Sequence, residues 1–514
     1  MKLKKTDNQK FLEMVFADHE EYIQISSAFV FTKRRAKFLK SPSYGDVVNF
    51  VTKNRFIPIQ MWQYLYSVCK RLNYSFEYEE IKDLIVLEGV DVELVRDIYK
   101  KAITTDPKSL TYDEDQFQSI LGFIQHNYVK QDLSVAYGKT LVFFVTVAYL
   151  MLHNKDKFII ILPKPSLATQ LFAEFMKLSS VFPELSQKMM VTTDGGDMTV
   201  YDRFDCLITN FQYAWSKDDK HFERFTVSII DEVHRASSKS YKTILEKCKN
   251  LRSTKGGSGT IVNDGSYEAM AVIASSGFTF KKVRKREIID SGRATDGKVI
   301  AVKLNTLTHP QVLALKDFYE AEPDPLERLN KELDLLRRSQ QRLEIIKNFA
   351  LEFSSLGNGV VFFKDVKNQY GRKIADSISY GSKTLKVFYI DQHVKQKIRE
   401  EVYEFMRNNT GCVLVVSYDI ASTGLNVKNL TWGMLGEPMK SVVVLGQVIG
   451  RFMRKHEDKE KFYLIDFIDQ VDTKVFGGAT YMTKWWDWSR KLEYEKDNFE
   501  IETRLVEVDR GLNW

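Results

Sequence analysis

Short runs of uninterrupted apolar residues recur from residue 158 onward, and they constrain the fold of this chain more than any other feature. They are FIIIL (158–162), CLIT (206–209), TVSII (226–230), GVVFF (359–363), KVFYI (386–390), CVLVV (412–416) and VVVL (442–445). A strand with one wet face alternates apolar and polar residues, whereas a strand covered by helices on both faces does not. Runs of this kind, spaced by helical stretches, predict parallel sheets in an α/β fold. They fall into two groups divided by the charged helical segment PDPLERLNKELDLLRRSQQRLEIIKNF. The expected architecture is two tandem parallel-sheet domains, residues 105–311 and 312–514, the second ending in a C-terminal tail. A length of 514 residues leaves room for a third unit. Residues 1–104 predict a small α+β domain: EYIQISSAFVF, DVVNFVT and IKDLIVLEG as strands, a helix through Trp62, Leu65, Tyr66, Cys69 and Leu72, and another near 90–102. Residues 104–107 read as a linker, and the Gly/Ser-dense segment 256–266 as a turn or loop.

Composition excludes more than it selects. Lys and Arg number 75 against 68 Asp and Glu, a net charge of +7 that permits an anionic partner without requiring one. The four cysteines are far apart with no CxxC pair, which argues against a disulfide framework or structural zinc and fits a reducing compartment. The longest apolar stretch, Leu141 to Leu152, is too short to span a membrane, and the N-terminus has no signal-like apolar segment. The expectation is a cytoplasmic protein with no membrane partner.

Three motifs carry chemistry. Gly138-Lys139-Thr140 opens the apolar helical run LVFFVTVAYLML. Backbone N–H groups and the helix dipole at such a start favour phosphate; Lys139 would reach the β/γ-phosphates and Thr140 would hold Mg2+. The full phosphate loop wants glycine where Leu133 stands, and Ala136 replaces a further common glycine. Taken alone, the tripeptide reads equally well as a surface turn. Asp231-Glu232, ending the apolar strand before Val233-His234, places two carboxylates at the carboxyl edge of a parallel sheet. Asp231 would hold Mg2+ through water and Glu232 would deprotonate the attacking water. A lone Asp-Glu is also a common solvated turn; about ninety residues after a Gly-Lys-Thr, catalysis is the better reading. Gln447-Val-Ile-Gly-Arg451-Phe-Met-Arg454 follows SVVVL, read as a strand, and two arginines three apart on a helix share a face. They suit either neighbouring carboxylates or a phosphate, as arginine fingers do.

In this order the three motifs resemble those of the superfamily two helicases, and the resemblance covers nearly the whole chain. DEVH at 231–234 resembles the DExH box, and QVIGRFMR the QxxGRxxR finger motif. FIIILPKPSLATQ resembles the motif lying along the nucleic-acid backbone, with Pro163, Lys164 and Gln170 as candidate contacts; ITNFQYAW, with Thr209, resembles the next. Ser258-Gly259-Thr260 stands where the family has its Ser-Ala-Thr element, coupling with His234. SYDIASTGLNV resembles motif five, in which Ser422, Thr423 and Gly424 link nucleotide to nucleic acid. Asp115-Gln116 resembles the adenine-reading glutamine motif, with Gln116 as candidate. Within the superfamily the resemblance is strongest to the phage UvsW type of recombination helicase, RecG-like in activity. That type also has a glycine-poor phosphate loop, VKNL after motif five, and an N-terminal segment like KFLKSPSYGDVVNFVTKNRFIP. The departures are the bulky Tyr137 and the replacement of an acidic residue by Asn426. The resemblance implies RecA-like motor domains, ATP and Mg2+.

Two basic clusters offer nucleic-acid surfaces. Lys33, Arg34, Arg35, Lys37 and Lys40 crowd together among Phe29, Phe31, Phe38 and Tyr44, suiting phosphate contact with aromatic stacking, or equally a solvated strand face over an aromatic core. Lys281, Lys282, Arg284, Lys285 and Arg286 form a second cluster, which equally suits a surface strand. Trp485, Trp486 and Trp488 cannot all face one side of a helix, so one is expected to be exposed while the tail packs on the second lobe.

The resulting expectation is a monomeric ATP-dependent DNA helicase that unwinds and branch-migrates forked or four-way DNA in phage recombination, repair and replication, in the infected bacterial cell. Its partners would be branched DNA and phage recombination or replication proteins. The competing readings are an RNA helicase on the same motor and an ATP-independent nucleic-acid binding or annealing protein with a degenerate phosphate loop. No nuclease constellation is visible, which disfavours the translocating subunit of a restriction enzyme.

Overall fold

The computed structural model describes residues 1–33, 47–106, 110–134, 136–193, 203–261, 264–457 and 459–506. The chain divides between Val283 and Arg284 into two units. The first opens with β1 (Lys2–Lys5), β2 (Phe11–Val15), β3 (Val30–Thr32), β4 (Val47–Asn49) and β5 (Phe56–Pro58). β1, β2 and β5 form an antiparallel sheet, and β3 pairs with β4. Most of EYIQISSAFVF, expected as a strand, is instead the helix His19–Ser27. Its start is decided by Asp18, whose carboxylate accepts the Glu21 N–H at 2.8 Å; that cap outweighs the β-branched residues that follow. IKDLIVLEG likewise forms a short helix, Lys82–Ile85, with a single bridge from Val86 to His126. The helices Trp62–Arg71 and Val92–Ile103 form where periodicity predicts them. Leu3, Leu12, Ile25, Ile57 and Leu65 build the core of this part, joined by Tyr128 and Met270 from the larger sheet's side.

That larger sheet contains β6 (Tyr128–Leu133), β7 (Phe158–Leu162), β8 (Met189–Thr192), β9 (Cys206–Asn210), β10 (Val227–Asp231), β11 (Ser253–Ser258) and β12 (Phe278–Val283). Their spatial order is β12-β6-β11-β10-β7-β9-β8, parallel throughout. Gly256-Gly257-Ser258, expected in a loop, ends β11. The glycines are there for space: a Cβ on Gly257 would lie 2.4 Å from Phe143 Cζ, and one on Gly256 2.6 Å from Val233 Cγ2.

The second unit holds β13 (Asp296–Leu304), β14 (Asn358–Phe363), β15 (Lys386–Ile390), β16 (Cys412–Ser417), β17 (Leu430–Leu435), β18 (Lys461–Asp469) and β19 (Glu500–Val506). The order is β15-β16-β14-β17-β18-β13-β19, again parallel. Two RecA-like parallel sheets in tandem, behind a small α+β region, are the α/β fold that the apolar runs predict. β13 lies between β18 and β19, so residues 296–304 belong to the second sheet although the expected boundary fell after 311. VVVL at 442–445 is not a strand. It opens the helix Val442–Phe452, started by Ser441 Oγ accepting the Val444 N–H at 3.3 Å, with Leu445, Val448, Ile449 and Phe452 buried at helical spacing. Among the tryptophans, Trp486 is buried, Trp485 packs against Leu333, Leu336 and Met482, and Trp488 is 72% exposed. Among the described residues no helix is long and apolar enough to cross a membrane.

Buried polar groups fasten the helices of this unit to its sheet and to one another. Arg342 meets Asp469 through two hydrogen bonds of 2.8 and 3.0 Å and also donates to Tyr370 Oη at 2.6 Å. Glu332 accepts the N–H groups of Tyr481 and Met482 at 3.0 and 3.1 Å, and the Tyr319 hydroxyl. Burial nevertheless pushes its carboxyl from 4.5 up to about 7. A carboxyl with a raised folded pKa binds its proton more tightly in the folded chain, so its stabilising share is complete below pH 4.5 and is lost as pH rises through about 7. Denaturation midpoints of the parent should therefore fall across that window relative to Glu332→Gln, which keeps a neutral group of the same shape. Parallel pH profiles for the two proteins would remove Glu332 from this titration.

Candidate functional site

The loop expected to hold phosphate joins β6 to the helix Lys139–His153. Gly138 caps that helix at φ +91°, a left-handed conformation that glycine adopts without strain, and a Cβ there would lie 2.5 Å from Gln116 Nε2. Ala136 also has a positive φ, +71°. Tyr137, the bulky departure from the loop pattern, turns inward: it is 1% exposed, and its hydroxyl lies 2.7 Å from Ser119 Oγ and 2.9 Å from both the Asp115 carbonyl and Asp115 Oδ2. Gln116 is buried beneath the loop. Its Nε2 donates to the Tyr137 carbonyl at 2.6 Å, and its Oε1 accepts from the Tyr99 hydroxyl at 2.5 Å. Sequence reasoning missed Tyr99 and Ser119; the one available signal was Tyr137 itself, a ring too large to sit idle in a phosphate loop.

β10 ends at Asp231, and Glu232 follows at φ +53°, in the left-handed region where a non-glycine residue is strained. Lys139 Nζ lies 3.5 Å from Asp231 Oδ1 and 3.6 Å from Glu232 Oε1, bringing the first two motifs together. Burial opposes the charge on Lys139, but the two carboxylates outweigh it and raise its pKa. Burial also raises Asp231, against the pull of Lys139. Glu232 is held low: burial works against its charge and is overcome by Lys139, His234 and Ser258. Ser258 Oγ, at the end of β11, lies 2.9 Å from His234 Nδ1 and 3.1 Å from Glu232 Oε2; Thr260 Oγ1 lies 3.3 Å from both Ser258 Oγ and His234 Nδ1. The expected coupling residues of this unit thus form one hydrogen-bonded group around Glu232.

In the second unit Gln447 is buried, and Arg451 lies in the last turn of the helix Val442–Phe452. Arg454 lies beyond the helix end, so the two arginines do not share a helical face as expected; the helix stops at Phe452. Arg454 Nη1 donates to Asn426 Oδ1 at 2.9 Å, joining the finger motif to motif five. Gly424 ends the helix Tyr418–Gly424, which contains Thr423, whose side chain lies outside the described parts.

The nucleic-acid candidates separate by burial. Gln170 is exposed and bonded to Glu174 at 2.9 Å, and Lys164 is half-buried ahead of the helix Pro165–Leu178. Pro163 is buried. Thr209 is fully buried and donates to the Thr192 carbonyl at 2.7 Å; β9 runs one residue past it, so this candidate does not reach the surface. Lys33 lies 6.0 Å from the Tyr267 ring centroid, while Arg34, Arg35, Lys37 and Lys40 lie outside the described residues. In the other basic cluster, Lys285 is buried against Glu493 at 3.0 Å and Asp497 at 2.5 Å, which makes it structural.

Residues 125–254 match the family model of the type III restriction enzyme, res subunit, and residues 339–456 match the helicase conserved C-terminal domain. The chain is 25% identical over 351 residues to the ATP-dependent DNA helicase uvsW of Enterobacteria phage T4, covering 67% of this chain and 65% of that protein. It is 23% identical over 413 residues to the putative ATP-dependent helicase IRC3 of Saccharomyces cerevisiae, covering 76% of this chain and 55% of that protein. The matches thus span about half to two thirds of these relatives' lengths. Among solved structures, the DEAD-box helicase Mss116 bound to ssRNA and UDP-BeF is similar with a TM-score of 0.57 and 15% identity, covering 83% of this chain and 82% of that one; the likeness is one of fold. The two matched segments correspond to the two halves of an ATP-hydrolysing helicase motor, and in the first of them Lys139 faces an Asp-Glu pair.

Proposed function

We propose that this protein is an ATP-driven DNA helicase or translocase that unwinds and branch-migrates forked or four-way DNA. It would act as a monomer beside phage recombination and replication proteins in the cytoplasm of an infected bacterium. The observation that carries the motor reading is the Lys139 ammonium between Asp231 and Glu232 at the end of β10, beside a helix N-terminus. The phage T4 relative is named as a DNA helicase, which supports DNA as the track.

The donor set fits Mg2+ and a nucleotide. Thr140 offers a hydroxyl and Asp231 a carboxylate, both hard oxygen ligands, and Mg2+ on a nucleotide needs few protein ligands because phosphates and water complete its shell. Ser134 Oγ, buried in the loop without a hydrogen-bond partner among the described residues, is a further polar group that could serve a ligand. Mg2+ would neutralise phosphate charge. Lys139 would leave the carboxylates for the β/γ-phosphates, and Gly138 would let the backbone approach them. Glu232, low in pKa and steadied by Ser258 and His234, would take the proton of the attacking water. Arg451 and Arg454 would place guanidinium charge on the γ-phosphate, with Gln447 nearby in the same motif. His234, Ser258, Thr260, Thr423 and Gly424 would transmit the state of the site to nucleic acid held by Lys164, Gln170 and the stretch from Lys33 to Arg35.

Lys139→Ala is expected to abolish ATP hydrolysis with DNA binding largely kept, and Glu232→Gln to bind both ligands but turn over poorly; turnover assays and filter binding read the two effects separately. Parental hydrolysis in either variant would break the assignment. Arg451→Ala or Arg454→Ala should lower kcat by roughly two or more orders of magnitude with nucleotide affinity little changed, because fingers act on transition-state charge. Arg454→Lys should not restore it, since an ammonium lacks the planar fork. Charge reversal at Lys33, Arg34 and Arg35 should weaken four-way-junction binding and make its salt dependence shallower, by up to ~0.9 logarithmic units for each phosphate no longer neutralised. Basal ATPase should stay at the parental level. Equal unwinding of matched RNA and DNA duplexes by the parent would turn the reading toward an RNA helicase on the same motor.

A further inference from the structure

A helix leaves its last carbonyls without partners of its own. At the end of the helix Val442–Phe452, which carries Arg451, the partners come from elsewhere in the same unit. The Phe452 carbonyl accepts from Lys459 Nζ at 2.7 Å, and the Met453 carbonyl accepts the Thr295 N–H at 2.8 Å. Lys459 lies between that helix and β18, outside the finger motif and outside both matched segments. Its ammonium also donates to the Lys428 carbonyl at 3.0 Å, in the segment between motif five and β17. One cation therefore bonds two segments at once. The same two segments carry the ends of a second link, Arg454 Nη1 to Asn426 Oδ1 at 2.9 Å. Arg454 stands two residues after Phe452, and Asn426 two residues before Lys428. Asn426 is held further by its carbonyl, which accepts from Arg407 Nη1 at 2.8 Å. Lys459 is 6% exposed, and burial, with the nearby Arg454 guanidinium, pushes its pKa from 10.5 down to about 7. Packing alone does not call for an ammonium in such a place, because a methionine would fill much the same volume without the desolvation cost.

We propose that Lys459 is a positioning residue for Arg454: its ammonium ties the end of the helix Val442–Phe452 to the segment after motif five, and so holds the Arg454 guanidinium where Asn426 meets it. The proposal rests on the reading of Arg454 as an arginine finger. Arg454 lies beyond the helix end, so the helix by itself does not fix its backbone. A cation at a helix C-terminus suits the helix dipole, and one that spans two carbonyls also sets the distance between the segments that bear them. A finger acts on charge that develops only in the transition state, so a misplaced finger costs rate rather than nucleotide affinity. The loss of Lys459 therefore belongs in kcat and not in KM.

The test is steady-state ATP hydrolysis by the full chain, by Lys459→Met, Lys459→Gln and Arg454→Ala, and by each Lys459 variant combined with Arg454→Ala, all first shown to melt cooperatively. Methionine keeps the length of the side chain and removes its charge and donors. Glutamine keeps a donor on a stem too short to span both carbonyls, and serves where the methionine variant does not fold. In either Lys459 variant kcat should fall roughly tenfold, within the cost of misplacing a catalytic group by about 1 Å. KM for ATP should stay within about twofold of the parent. In the Arg454→Ala background the same substitution should cost nothing further, since a residue that acts through Arg454 then has nothing to position. Parental kcat in a folded Lys459 variant overturns the proposal, as does a raised KM with kcat kept, or an equal loss with and without Arg454. Parental turnover in Arg454→Ala would instead break the finger reading, and the role of Lys459 with it.

Discussion

Two carboxylates adjacent in sequence and withdrawn from water repel one another, and the first unit is arranged around the ammonium that reconciles them. Without Lys139, 3.5 and 3.6 Å away, Asp231 and Glu232 would carry an uncompensated desolvation penalty of several kcal/mol per ion. The countercharge comes from the first turn of a helix far off in sequence, so the end of β10 and the start of that helix must meet at the same edge of the sheet. A parallel sheet brings this about, because all its strands end on one side and the loops leaving that side converge there. The strained backbone at Glu232, at φ +53°, is maintained by the same convergence: the residue is bonded to Ser258 and lies beside His234 as well as Lys139.

Space matters as much as charge. Ser258 reaches His234 and Glu232 because β11 lies close under the helix Lys139–His153 and the turn after β10, and that approach is possible only where the strand lacks side chains. A methyl group on Gly257 would strike Phe143, and one on Gly256 would strike Val233. The polar hub and the two glycines before it are therefore one device: the glycines remove bulk so that a single hydroxyl can serve Glu232, His234 and Thr260.

The legibility of the sequence follows from these same constraints. Strands buried on both faces by apolar side chains, such as β7, β14 and β16, were readable because burial and hydrophobicity coincide in them. β6 and β11 were not, since YVKQDL and STKGGS bury lysines whose ammonium groups find the carbonyls of Gly277 and His126, partners that lie far off in sequence. The helices at 19–27 and 442–452 were misread because β-branched composition was weighed above Asp18 and Ser441, the caps that start them. In the candidate site, Lys139, Asp231, Glu232, His234 and Ser258 could be named from motif spacing, and the structure brings their side chains together. Tyr99 was hidden because nothing local distinguishes a tyrosine that packs from one that holds another side chain. Thr209 was misjudged for the converse reason, since its place in the motif says nothing of its hydroxyl turning inward to Thr192.

The glycine-poor phosphate loop links these threads. Glycines let a loop follow an anion at the cost of conformational entropy on ordering. Here Ala136 takes a left-handed conformation that a side chain disfavours, and Tyr137 follows it. Such a turn persists only if its surroundings determine it more strongly than its own backbone does. Tyr137 supplies part of that by burying its ring and bonding Ser119 and Asp115, and Gln116 supplies the rest through the Tyr137 carbonyl. Asp115 is also paired with Lys281 on β12, so the anchor extends to the outer strand of the sheet. On the proposed function, a loop stiffened in this way would meet the phosphates already shaped, and the ordering entropy that a glycine-rich loop surrenders on binding would be settled when the chain folds. Only Gly138 keeps its freedom, at the one position where a side chain would collide with the amide that holds the turn.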